Sequence, residues 1–116
     1  MKAIASFVLV VIFGLASSCA INPHSMDMTQ AIQSAKTRGD HENLARHYDE
    51  AAKEMQAKAD EHKQLVARYE ANRQLYGKQA QNLINHCQGL QRVYEEAAAN
   101  NRNMAESHRQ LASEAK

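Results

Sequence analysis

The feature that most constrains this chain is a block from Leu44 to Leu65 that returns 46 positions later, from Leu90 to Leu111. Leu44, Arg46, Tyr48, Glu50, Ala51, Ala52, Ala59, His62, Gln64 and Leu65 recur as Leu90, Arg92, Tyr94, Glu96, Ala97, Ala98, Ala105, His108, Gln110 and Leu111. Asp49/Glu95, Asp60/Glu106 and Lys63/Arg109 are conservative matches between them. This is one helix, duplicated. The landmarks also read in reverse, because Leu, Tyr, His, Leu becomes Leu, His, Tyr, Leu. Two antiparallel copies therefore set Leu44 beside Leu111, Tyr48 beside His108, His62 beside Tyr94 and Leu65 beside Leu90, about a midpoint at residue 77 or 78. Gly77 sits there, and glycine most readily takes the positive φ a chain needs where a helix stops and reverses.

Composition agrees with helices. Both phenylalanines, Phe7 and Phe13, lie in the first stretch, tryptophan is absent, and beyond residue 25 Leu, Ile, Val, Met and Tyr are scattered among alanines with almost no Pro or Gly. No segment alternates as a strand would. The predicted fold class is all-α, an antiparallel coiled-coil-like hairpin over residues 26–116, with a short helix at about 28–38 and long helices at about 40–75 and 79–115. Gly39 is expected to end the short helix and Asp40 to cap the long one. The inward stripe of the first arm is read as His41, Leu44, Tyr48, Ala51, Met55, His62, Leu65 and Tyr69, widened by Ala45, Ala52, Ala59 and Val66. That of the second is Leu83, Cys87, Leu90, Tyr94, Ala97, Met104, His108 and Leu111. Outside the stripe, Glu42 to Arg46, Asp49 to Lys53 and Glu54 to Lys58 are acid-before-base pairs four apart. One continuous helix is the alternative, since a long coiled coil absorbs the phase shift between copies. So small a chain with so narrow a seam is expected to associate, most simply as two hairpins in a four-helix bundle.

The N-terminal stretch gives an address. Lys2 precedes an apolar run from Ala3 to Leu15 that is too short for a comfortable membrane span, and small residues follow before Cys19. Leu15-Ala16-Ser17-Ser18-Cys19 resembles the lipobox of bacterial lipoproteins. The resemblance implies a signal peptide over residues 1–18, lipidation of Cys19, and a tether over 19–25. It departs from the usual pattern in having Ala16, not Leu, three positions before the cysteine; cleavage after Ala20 by the ordinary signal peptidase is the competing reading. Ala20, where many lipoproteins retained at the inner membrane have Asp, implies an outer-membrane anchor with the body facing the periplasm. Braun's lipoprotein is a loose analogue, a lipidated helical rod joined to peptidoglycan through a C-terminal lysine; this chain ends in Glu-Ala-Lys116 rather than that family's Tyr-Arg-Lys.

Chemistry is sparse. There is no nucleophile elbow, glycine-rich phosphate loop or Cys-x-x-Cys, so no enzyme is expected, and 14 basic against 13 acidic side chains give no basic patch for nucleic acid. Six histidines raise a metal hypothesis. His62 and His108, on the seam, are each read as hydrogen-bonded to the tyrosine opposite; the alternative is that in a dimer Met55 and Met104 approach and, with these histidines, make a copper or other transition-metal site. His24, Met26 and Met28 form a second, weaker soft-donor cluster. Cys87 is read as a small seam residue, with an intermolecular disulfide as the alternative. The expected function is therefore non-enzymatic: a structural or protein-interaction role at the outer membrane, with membrane lipid, a second copy of the chain and an envelope protein as partners. Metal sensing by His and Met, or a small periplasmic chaperone, are the alternatives.

Overall fold

The computed structural model describes residues 26–116; the signal, the lipobox with Cys19, and His24 lie outside the described residues. Two long helices dominate and pack on each other along their length as an antiparallel hairpin, with no strand among the described residues. The order is α1 (Met28–Ser34), α2 (Arg38–Ala71), α3 (Arg73–Tyr76), one 3-10 turn (Gly77–Gln79) and α4 (Ala80–Glu114). At about 1.5 Å per residue each long arm runs roughly 50 Å.

The start of α2 differs from expectation. Gly39 does not stop a helix but lies inside α2, and the N-cap is Thr37, not Asp40. Thr37 accepts from the Asp40 amide at 3.1 Å, while the Asp40 carboxylate accepts from the Thr37 and Lys36 amides at 2.9 and 3.0 Å. This reciprocal capping box satisfies backbone donors at both ends of the first turn. Those amide bonds, from Lys36 first and Thr37 next, hold the Asp40 carboxyl down at about 2. Thr37 outcompetes Asp40 because its extended backbone leaves Asp40 three positions inside the helix, where a carboxylate can reach back.

The reversal falls where the duplication places it. Asn72 breaks α2 with φ −121°, and its side-chain amide donates to the Arg68 carbonyl. Gly77 then takes φ +51°, the one positive value among the described residues. The rings of Tyr69 and Tyr76 meet edge to face at 4.9 Å between centroids beneath this tip.

The register is also the one the block demands. Tyr48 stacks on His108 with centroids 5.5 Å apart, and His62 stacks on Tyr94 at 5.6 Å. With those layers fixed, two heptad rows face each other. On α2 they are Ala45, Ala52 and Ala59 alternating with His41, Tyr48, Met55 and His62; on α4 they are Ile84, the half-buried Gln91, Ala98, Ala105 and Ala112 alternating with Ala80, Cys87, Tyr94, Asn101 and His108. Alanine layers therefore alternate with layers built on rings or other larger side chains. Ala59, Ala98 and Ala105 are 0–1% exposed, and side chains this small let two helices approach closely.

This corrects the inward stripe on α4. Ala98, Ala105, Ala112 and Ile84 form the centre, whereas Met104 and Leu111 are 40% and 44% exposed. The α2 stripe was legible because its core is broad, with both Ala51 and Ala52 buried; on α4 only Ala98 of the copied pair is buried fully.

Candidate functional site: two unlike faces and a histidine stack

A ribbon of two helices has two faces, and here they differ. On one, polar groups tie the arms: Arg109 pairs with Asp49 across the hairpin, and Arg102 donates to Gln56 at 3.5 Å. Asp49 thus crosses to the other helix instead of pairing with Lys53, and Glu42 pairs with Arg38 at 2.8 Å instead of Arg46. Such exposed pairs contribute about 0–1 kcal/mol each.

The opposite face is apolar and belongs mainly to α4. Leu83, Leu90, Ala97, Met104 and Leu111 recur every seven residues along it, flanked by Val93, which is 60% exposed. An open groove of about 560 Å³ adjoins it, lined by Gly89, Leu90 and Val93 together with the polar Asn85 and His86 and the charged Arg92 and Glu96. On α2 the corresponding row begins at Leu44, which α1 covers: Met26, Ala31 and Ser34 meet Asp40, Asn43 and Leu44 around a small cleft. Met26 of the proposed soft-donor cluster lies in that cleft, and Met28 opens α1.

At the open end of the hairpin, three rings stack. His41 and Tyr48 are seven residues apart, about 10.5 Å along the axis, and the His108 ring inserts between them at 5.4 and 5.5 Å. His41 Nδ1 faces His108 Nδ1 at 3.2 Å, so one nitrogen carries the shared proton and the other accepts it. Burial, and then the neighbouring His41, lower the pKa of His108. Buried His47 sits edge-on to Tyr48, a burial the heptad reading did not anticipate.

Comparison with protein-family models, curated proteins and solved structures finds no match to this chain. The geometry has to speak for itself.

It separates the residues of the metal hypothesis. His62 and His108 occupy layers fourteen residues apart on the α2 scale, about 21 Å along the axis, so one chain does not bring them to one ion. Met55 is buried in the seam while Met104 points to the apolar face. Among the described residues no three His, Cys, Asp or Glu side chains converge as metal ligands. The ring pairs are right in register and stack, and the buried Nδ1 of His62 finds no hydrogen-bond partner. Cys87 is a buried free thiol inside the seam. Among the described residues no helix is long and apolar enough to cross a membrane.

Proposed function

We propose that this protein is a lipid-anchored helical hairpin with a non-enzymatic, structural or protein-interaction role at the outer membrane, its body in the periplasm. The observation that carries the interaction role is the contrast of faces: cross-helix polar ties on one side, and on the other an apolar α4 row in which Met104 and Leu111, with Val93 beside them, stay 40–60% exposed. The lipobox at Leu15–Cys19 supports the anchor. More than one acyl chain at about 0.8 kcal/mol per buried methylene makes such an anchor stable.

Metabolic labelling with a fatty-acid analogue in a Gram-negative host tests the address. Label in the chain, absent from Cys19→Ser and recovered with outer membranes, is the expected result; an unlabelled, freely soluble product starting at Ile21 would replace the anchor with ordinary secretion. A metal-handling role has one observation on its side, the facing Nδ1 atoms of His41 and His108. Calorimetric titration with Cu(I), Cu(II), Ni(II) and Zn(II) checks it, with His41→Ala and His108→Ala as the controls.

A further inference from the structure

The apolar row of α4 reads the same in both directions. Leu83, Leu90, Ala97, Met104 and Leu111 run large, large, small, large, large, and Ala97 is the middle residue of a helix that spans Ala80–Glu114. A two-fold axis at Ala97 therefore sets large residues of the row against large ones, with i meeting j and j meeting i. We propose that a second copy of this chain covers the apolar face, its α4 lying antiparallel to the first about a two-fold axis at Ala97, so that the two hairpins form a four-helix bundle. This rests on the interaction reading above and names the partner.

The relief of the surface fits. Antiparallel pairing about Ala97 sets Leu83 against Leu111 of the other copy, and Leu90 against Met104. Met104 stands proud at 40% exposure, while the groove at Gly89, bounded by Leu90 and Val93, is hollow because that position has no side chain. Each copy offers one knob and one hole, and the two-fold fills both. Rim positions beside the row, His86, Val93, Asn100 and Ser107, carry no fixed charge, while the groove is also lined by Arg92 and Glu96, one charge of each sign.

The core supplies the need. Among the described residues its largest fully buried side chains are Leu44 and Ile84, and most of its other apolar members are alanines. A core this thin rarely stabilises a small chain alone. A two-fold axis normal to the membrane would also bring both N-terminal tethers to one surface.

Sedimentation equilibrium of the full chain in density-matched detergent tests the pairing. The expected mass is twice that of one chain. Gly89→Glu fills the hole with a charge and Met104→Glu charges the knob; each is expected to weaken association at least tenfold. Neither should disturb the hairpin, because a Cβ at Gly89 meets nothing within 4 Å, and unchanged helical circular dichroism checks this. Gly89→Glu combined with Met104→Lys sets opposite charges across the axis and is expected to restore the dimer. A monomeric wild-type chain at tens of micromolar overturns the proposal, as does a mass indifferent to the single variants or a double variant no better than either. Lipid label is read on the same preparations, so a labelled monomer refutes the dimer alone and an unlabelled dimer refutes the anchor alone.

Discussion

Ala98→Leu is expected to be among the most damaging conservative changes in this protein. Ala98 is 0% exposed and, in the register fixed by the two ring stacks, faces Ala59, itself 1% exposed. Leucine there has no space unless the arms move apart, and moving them loosens the His62–Tyr94 layer beside it. Overpacking of this kind costs about 1–3 kcal/mol. For a domain of about this size each kcal/mol lowers Tm by roughly 4–8 °C. Ala99→Leu is the control: it makes the same change one position along the same helix, on an exposed surface, so intrinsic helix propensity cancels, and it should shift stability by no more than about 0.5 kcal/mol. Urea and thermal melts followed by circular dichroism at one fixed protein concentration provide the comparison. Equal stability of the two variants would refute the close alanine seam and with it the register.

Three further outcomes follow from the same geometry. His62→Phe keeps the ring against Tyr94 while deleting a buried nitrogen that has no partner, so urea denaturation should show stability unchanged or raised by about 1 kcal/mol; a clear loss would mean that the nitrogen is satisfied in solution. His108 titrates below its ordinary 6.5 because of burial and then His41, so the unfolded chain takes the proton first. Its stabilising contribution is complete above that pH and is lost as the pH falls; urea midpoints at pH 7.5 and 5.0 should differ more in wild type than in His108→Phe. Thr37→Ala removes the N-cap of α2 and should cost about 1 kcal/mol. Amide exchange should then quicken at Asp40, whose N–H loses its acceptor.

The division between sequence and structure is visible in particular residues. The duplicated block was enough to specify helices, an antiparallel arrangement, a reversal at Gly77, and the facing of Tyr48 with His108 and His62 with Tyr94. These follow from one-dimensional spacing, because a helix converts residue number into height and face with fixed constants. Spacing could not say which of two adjacent alanines, Ala97 or Ala98, is central, because they differ only by about 100° of rotation and both arms tolerate a stripe three residues wide. That rotation is settled by close contact of the two backbones, and it turns Met104 and Leu111 outward to make the unpartnered face. Nor could spacing separate a hydrogen bond from a stack, or foresee His41 beside His108, since each depends on side-chain directions across the seam. Local spacing determined the hairpin; the tightness of its alanine seam decided which face was left for something else to cover.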